Sequence, residues 1–248
     1  MPGAAGRLAG LARSLMLYYG QPWRGPRFAR LYRPFVPDGG LCFDVGAHVG
    51  NRTRCFRRLG ARVVAIEPQA DCLAVLRRFY GRDPGVTIVP AAVGREPGTA
   101  TLYAAPRTPT VTTLSRTWIE AVRRDRGFAQ VEWRAAGTVE VTTLAALIAA
   151  YGEPDFVKLD VEGYEAEALA GLDRAVRALS FEYVAATPEL TEACLARLAA
   201  LGDYRYAWSE AESHVLSPEW LDAAALRRRL LGRREGGASG DVYARRRD

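Results

Sequence analysis

The sequence contains few of the side chains that commonly bind metals or form disulfides. It has two histidines, His48 and His214, and four cysteines far apart in the chain. No CxxC motif or Cys/His pair has the spacing of zinc ligands. We therefore predict no metal site. We expect reduced core thiols in a cytoplasmic protein. The cysteines are Cys42, Cys55, Cys72 and Cys194.

Long apolar runs are also missing. No run approaches the ~18 residues that a membrane-spanning helix needs, and the most apolar stretch covers only residues 144–150. The N-terminus shows no compact apolar core with a cleavage site, so a secretory signal is not expected either. We expect a chain without a transmembrane segment.

Lysine is nearly absent, although the chain is basic. Lys158 is the single lysine among 34 basic residues, and 28 acidic residues leave a net charge of +6. The arginines are spread over nearly every predicted helix, with acids between them, and no RNA-binding motif is visible. The charge therefore does not by itself predict a nucleic acid partner.

From residue 41 onward, short β-rich runs alternate with helical patterns. This alternation predicts an α/β fold with a doubly wound, mainly parallel sheet. The predicted strands cover residues 41–45, 63–66, 86–89, 155–159, 180–185, 204–208 and 241–245. The predicted helices cover residues 51–59, 69–79, 144–151, 163–170 and 188–201.

Two regions lie outside this alternation. Residues 1–40 form an N-terminal helical extension before the main domain at 41–248, with helical spacing at 7–18, and they could mediate a homodimer. Residues 95–142 contain two alternating runs, so we predict an inserted hairpin with a long loop.

A glycine-rich turn follows the first predicted strand. Asp44, Gly46 and Gly50 form a D-x-G-x-x-x-G pattern, in which glycines allow a tight turn close to a ligand at a helix N-terminus. A dinucleotide fingerprint has G-x-G-x-x-G instead, and an acid before the first glycine would repel a pyrophosphate. The motif favours a ligand with a cationic amino-acid part, and NAD is the weaker alternative.

Two further positions fit a nucleoside. Glu67 follows the second strand and precedes Pro68, and a carboxylate there can accept both hydroxyls of a ribose. Small residues around Ala92 could let an adenine ring lie against the backbone, although packing alone would also explain them.

The strand at 155–159 is unusual for a central parallel strand. Such strands are apolar on both faces, yet Lys158 lies in this one and Asp160 directly follows it. Residues two apart share a face, so these charges could pair. Because unpaired buried charge is costly and local rule violations cluster at functional sites, we favour a role in a site over a purely structural ion pair.

Taken together, these motifs resemble the FkbM-type methyltransferases. The resemblance rests on residues 44–51, 67–68, 91–94, 158–165 and 181–183. It implies a class I, Rossmann-like methyltransferase that depends on S-adenosylmethionine (SAM), with strand 241–245 antiparallel beside 204–208. Characterised members methylate hydroxyls on small molecules or sugars, which is the acceptor expected here. His48 stands where the family more usually has Asn.

The resemblance also implies residue roles. Asp44 and the backbone around Gly46 and Ala47 would hold the methionine part of SAM, Glu67 the ribose, and residues around Ala92 the adenine. Asp160 would lie near the transferring methyl. The full predicted cofactor set is Asp44, Gly46, Ala47, His48, Gly50, Asn51, Glu67, Pro68, Ala92 and Asp160.

A hydroxyl acceptor also needs a proton sink. The predicted catalytic residues are Lys158, Asp160, Glu162, Glu182 and His214, although His214 equally fits an exposed loop. The connection at 209–240, with a helix predicted from Pro218 to Leu231, should form the acceptor pocket together with the 104–137 loop.

Two other functions stay open at this point. Arginine groups at 227–229, 233–234 and 245–247 could contact the phosphates of an RNA, so the acceptor could be RNA or a protein. The chain could also bind SAM without catalysis, but the presence of Asp44, Glu67 and Asp160 together argues for a working site.

Overall fold

The computed structural model describes residues 4–21, 24–125, 128–231 and 239–247. The helices are α1 Ala4–Tyr19, α2 Arg24–Tyr32, α3 Asn51–Arg58, α4 Ala70–Tyr80, α5 Arg116–Val122, α6 Leu144–Tyr151, α7 Glu165–Ala170, α8 Pro188–Leu201 and α9 Ala223–Leu231. The strands are β1 Leu41–Val45, β2 Arg62–Ile66, β3 Val86–Val89, β4 Ala92–Val93, β5 Gly98–Ala104, β6 Arg134–Thr142, β7 Phe156–Leu159, β8 Ala178–Val184, β9 Tyr204–Glu210 and β10 Ser239–Arg246.

The central sheet has the strand order β3-β2-β1-β7-β8-β10-β9. Neighbouring strands from β3 to β8 pair in parallel. The last strand, β10, lies between β8 and β9 and runs antiparallel to both. The predicted doubly wound, mainly parallel sheet with an antiparallel last strand is therefore confirmed.

The two faces of this sheet carry separate cores, as period-two alternation requires. On β1, Phe43 packs in a core with α6 to α9, whereas Cys42 packs on the opposite face with α2, α3 and α4. On β7, Val157 belongs to the first core and Phe156 to the second. Lys158 therefore points to the α2/α3 face. Asp44 lies opposite it in the register of the β1–β7 ladder.

The insertion at 95–142 contains the predicted hairpin, formed by β5 and β6, with the short β4 added beside β6. The long loop was not predicted to hold a helix, but α5 forms there. Ser115 accepts a hydrogen bond from the amide of Trp118 and caps it. Trp118 is buried, and an added Cβ on Gly163 would lie 2.1 Å from its ring. The insertion is thereby tied to the turn after β7.

The helix predicted from Pro218 begins later, at Ala223. Leu221 instead exchanges two backbone hydrogen bonds with Tyr206 of β9, of 2.7 and 2.8 Å. Asp222 then accepts a hydrogen bond from the amide of Ala225 at the start of α9. Residues 232–238 of the predicted 209–240 segment lie outside the described residues.

The N-terminal helices pack on the main domain. Phe28, Leu31 and Tyr32 of α2 are buried in the core that includes α3, and the Tyr19 hydroxyl of α1 donates to the Val49 carbonyl at 2.8 Å. Within the described ranges, no helix combines the length and the apolar character needed to cross a membrane.

Two turns at the carboxyl ends of β1 and β7 touch each other. Gly46 has a φ of 78°, and a Cβ added there would lie 1.9 Å from the Asp160 carbonyl oxygen. Only glycine fits this contact, because a side chain would both strain the backbone and push the second turn away. The first turn therefore fixes the position of Asp160.

We predict that Gly46→Ala lowers the free energy of unfolding by at least about 2 kcal/mol more than Gly39→Ala. Gly39 is the matched control, since its φ is 71° but its added Cβ would meet nothing within 4 Å. Both changes carry the strain of a left-handed backbone, and only the first adds the clash. Urea denaturation measures the difference, and equal losses would contradict the close contact.

Candidate functional site

Two clefts open at the carboxyl edge of the parallel strands, where open α/β sheets bind ligands. The first cleft, of about 530 Å³, includes Glu67, Pro68 and Ala92 in its lining. The second cleft, of about 890 Å³, includes Glu182 and His214. The clefts meet at shared lining residues, which are Gly46, His48, Thr110, Asp160 and Glu162.

Glu67 lies at the buried base of the first cleft. One carboxylate oxygen accepts the amide of His48 and the other accepts the amide of Gln69, both at 2.8 Å. Burial raises the pKa of Glu67 to about 7, although these hydrogen bonds oppose the shift. The carboxylate is held rigidly, and its remaining lone pairs can accept two hydroxyls of a ligand.

The backbone amides of the predicted first turn are engaged within the chain. The amides of Gly46 and Ala47 both donate to the Ile66 carbonyl, at 2.9 and 3.0 Å, so neither N–H is free for a ligand. Asp44 is buried beneath the turn and lines neither cleft. Its carboxylate accepts the Thr53 hydroxyl at 2.6 Å, and burial raises its pKa to about 6.

The other residues of this turn differ in whether they line a cleft. His48 lines both clefts with a φ of 49°, a conformation that Asn and His adopt more readily than most residues. Asn51, the first residue of α3, lines the second cleft. Gly50 lines neither, because its carbonyl accepts the buried Tyr80 hydroxyl and Tyr80 would touch any added Cβ.

Lys158 is 1% exposed and forms the buried ion pair that the sequence predicted, with one addition. Its ammonium lies 3.5 Å from Asp160 and 2.9 Å from Asp241. It also donates to the Leu159 carbonyl at 3.2 Å, so two of its N–H donors have hydrogen-bond partners and Asp160 adds an ion pair. Burial alone lowers the pKa of Lys158, but the two carboxylates outweigh burial and hold this pKa above its usual range.

Three carboxylates converge where the clefts meet. One oxygen each from Asp160, Glu162 and Glu182 lies within 4.8 Å of the others. Burial, and then the neighbouring carboxylates, raise the pKa values of Glu162 and Glu182 well above the usual range. The group can share protons with a ligand, and its oxygen donors also suit a divalent cation. From the sequence alone, Asp160 and Glu162 are only weak evidence for magnesium, and Glu182 is not predicted as a ligand.

His214 is 6% exposed, so the interpretation as an exposed loop residue is wrong. It follows β9 with a φ of 53°, lines the second cleft and packs its ring 4.4 Å from that of Phe28 in α2. The predicted 209–240 segment therefore contributes to the second cleft, through Ala211, His214 and Gly240. The 104–137 loop contributes mainly to the first, and Thr110 touches both.

Sequence reasoning missed three residues of the second cleft. The sequence held a signal for Asp241, because an acid begins the predicted strand 241–245. Arg52 gave no signal among 33 arginines, although its guanidinium lies over the Phe28 ring. Tyr18 of α1 also lines the cleft, so the N-terminal helices belong to this site.

The arginine groups considered for RNA are largely engaged within the chain. Arg227 pairs with Glu192, and Arg229 lies over the Trp208 ring. Arg245 and Arg246 donate to the carbonyls of Pro34 and Ala175. Residues 233–234 lie outside the described part of the chain.

Comparisons with known proteins point to methyltransferases. The domain model described as "Methyltransferase FkbM domain" matches residues 44–206. The chain is 30% identical over 162 residues to methyltransferase sdnD of Sordaria araneosa, covering 56% of this chain and 62% of that protein. It is 27% identical over 161 residues to the hexuronic acid methyltransferase AglP of Haloferax volcanii, covering 62% and 59%.

The matched region is part of each relative. The chain spans about three fifths of the length of these two curated relatives. Among solved structures, it is similar to a precorrin-6y C5,15-methyltransferase from Geobacter metallireducens, with a TM-score of 0.45 and 14% identity. That match covers 89% of this chain and 87% of the other.

We predict that Lys158→Met lowers the free energy of unfolding by about 3–5 kcal/mol, because Asp160 and Asp241 lose their buried counter-charge. Urea denaturation measures this loss. Arg62→Met removes an exposed cation and should change stability by less than about 0.5 kcal/mol.

Lys158→Arg keeps the charge and changes the shape, so it tests whether the site needs the compact ammonium. It should impair folding or ligand affinity. A loss below about 1 kcal/mol in Lys158→Met, or full retention of both properties in Lys158→Arg, would contradict the role of the ion pair.

Glu67 gives a pH prediction. Its pKa is about 7 in the folded protein against 4.5 when unperturbed, so the folded state holds its proton more tightly. Raising the pH through this window therefore destabilises the fold, by up to about 3 kcal/mol, and the effect levels off above pH 7. Glu67→Gln should remove this pH-dependent loss.

Unfolding measured at pH 5 and at pH 8 gives the comparison with the wild type. Exposed Glu96 provides the matched control, and Glu96→Gln should keep the wild-type pH dependence. An unchanged slope in Glu67→Gln would show that the carboxyl is not perturbed by burial.

Proposed function

The chain belongs to the FkbM family of SAM-dependent methyltransferases, and we propose that it transfers the methyl group of SAM to a hydroxyl of a small molecule or sugar. The observation that carries this proposal is the meeting of the two clefts at Asp160. The cleft that contains Glu67 opens there into a second, strongly polar cleft.

The first cleft has the chemistry that the adenosine part of SAM requires. Glu67 can accept both ribose hydroxyls, because its two oxygens are oriented by separate backbone amides. Pro68 and Ala92 supply apolar walls for the adenine ring.

Gly46, His48 and Asp160, at the junction, would hold the methionine part. Asp44 would support this turn from below, because its carboxylate accepts the Thr53 hydroxyl. When bound, SAM supplies a methyl group on a positively charged sulfur. The Asp160 carboxylate at the junction would stabilise that charge, and Lys158 holds this carboxylate in place.

The second cleft would orient the acceptor. Positioning contributes most of the catalysis in such a transfer, and the hydroxyl proton must pass to a base. We assign that base to Glu182, which lines only the second cleft and whose buried Oε2 has no hydrogen-bond partner among the described residues. Burial, and then the nearby carboxylates, raise the pKa of Glu182, which favours proton uptake by this group. Glu162 and His214 position the acceptor beside it.

A sugar or another small hydroxyl compound is favoured over a macromolecule. One curated relative is a hexuronic acid methyltransferase. The second cleft is lined from α1 as well as from the sheet, and Phe28 of α2 packs against its lining residue His214, which leaves a pocket for a compact acceptor. The cytoplasmic location and the homodimer stay predictions.

We predict that Glu182→Gln lowers kcat by about 10²–10⁴-fold, the usual range for a general base, while affinity for S-adenosylhomocysteine (SAH) changes less than about threefold. Labelled SAM incubated with fractionated cell extract identifies the acceptor and gives the turnover. Exposed Glu219→Gln is the matched control. Full turnover in Glu182→Gln would exclude this base, and full turnover in His214→Ala would exclude a role for His214.

A further inference from the structure

Among the described lining residues of the second cleft, Arg52 is the one cation that the proposed mechanism leaves unused. It lies in the first turn of α3 and projects towards α2, where its guanidinium carbon lies 3.9 Å from the Phe28 ring centre and 5.8 Å from that of Tyr32. Stacking of this kind occupies the flat face of a guanidinium and leaves its in-plane N–H donors directed outward.

Those donors are not satisfied within the described part of the chain. The Nε and Nη1 atoms of Arg52 are buried and have no hydrogen-bond partner there. A guanidinium is always charged, and burial of a charge without a hydrogen-bonded partner is costly. Proteins retain a buried, unpartnered charge of this kind mainly at functional sites, where a ligand supplies the missing partner.

Nearby carboxylates are already committed to other groups. Asp241 pairs with Lys158 at 2.9 Å, and Asp44 accepts the Thr53 hydroxyl at 2.6 Å. Asp160 also pairs with Lys158. These acids stabilise the charge of Arg52 through space, but no ion pair joins them to it among the described residues.

The position of Arg52 places it on the acceptor side. It lines the second cleft and not the first, together with Glu182, His214 and Asp241. Asp160 and Asp241 are among its charged neighbours, and they lie at the end of β7 and in β10. Glu67, by contrast, lies on the far side of β1, after β2.

We propose that Arg52 binds a carboxylate of the methyl acceptor, so that the acceptor is a hydroxy acid such as a sugar acid. This inference rests on the proposed methyltransferase function and names its substrate class. A planar carboxylate matches the fork of guanidinium donors in a bidentate arrangement. It also carries a single charge, whereas a dianionic phosphate would meet stronger repulsion from Asp160 and Asp241.

The second cleft is acidic overall, and Arg52 is the local cation that an added anion would meet among its described lining residues. Lys158 neutralises part of the charge of Asp160 and Asp241, and Glu162 and Glu182 resist ionising together. Arg52 is then the cation left for the ligand. Held there, the acceptor carboxylate would orient a hydroxyl of the same molecule towards Glu182.

Calorimetric titration of the full-length SAH complex tests this with three matched sugars: glucuronic acid, glucose and glucosamine, which are anionic, neutral and cationic. The wild type should bind glucuronic acid at least about tenfold more tightly than either of the others. Arg52→Gln should abolish this preference and leave SAH affinity within about twofold. Arg58→Gln, an exposed change on the same helix, should retain the preference.

The alternative outcomes separate the two proposals. Equal binding of the three sugars, tighter binding of glucosamine, or an unchanged preference in folded Arg52→Gln would overturn the inference alone. So would a tenfold or greater loss of SAH affinity in Arg52→Gln, because Arg52 would then serve the carboxylate of the methyl donor. Absence of SAH binding by the wild type would contradict the methyltransferase function itself.

Discussion

The buried ion pairs of Lys158 hold the site together. A single ammonium on β7 reaches across the neighbouring β8 to Asp241 on β10 and also contacts Asp160, just beyond its own strand. Burying a lysine is unfavourable unless its donors are matched. The turn after β7 and strand β10 must therefore keep their positions for the two ion pairs to form. Removing any member leaves a buried charge beside the place where the two clefts meet.

Several parts of the molecule depend on that arrangement. Asp160 is fixed from one side by Lys158 and from the other by the close contact of Gly46 with its carbonyl. The two clefts share this residue, so the methyl donor and the acceptor would be aligned by one rigid carboxylate. The N-terminal helices complete the second cleft, with Phe28 placed between Arg52 and His214.

The sequence predicted what short-range pattern determines. Strand and helix alternation predicted the sheet, and the spacing around Gly46, Glu67 and Asp160 predicted a ligand site at its carboxyl edge. It could not predict that Ile66 takes the amides of the first turn, because that contact joins two strands. Arg52 stayed hidden for a related reason, since its importance comes from a missing partner that only packing reveals.

A crystal structure of the full-length protein with SAH would test the central claim most directly. We expect the ribose hydroxyls on Glu67 and the sulfur beside Asp160, with the Lys158 ion pairs intact and the second cleft open for an acceptor. SAH bound wholly in the second cleft, with its carboxylate on Arg52, would contradict the account.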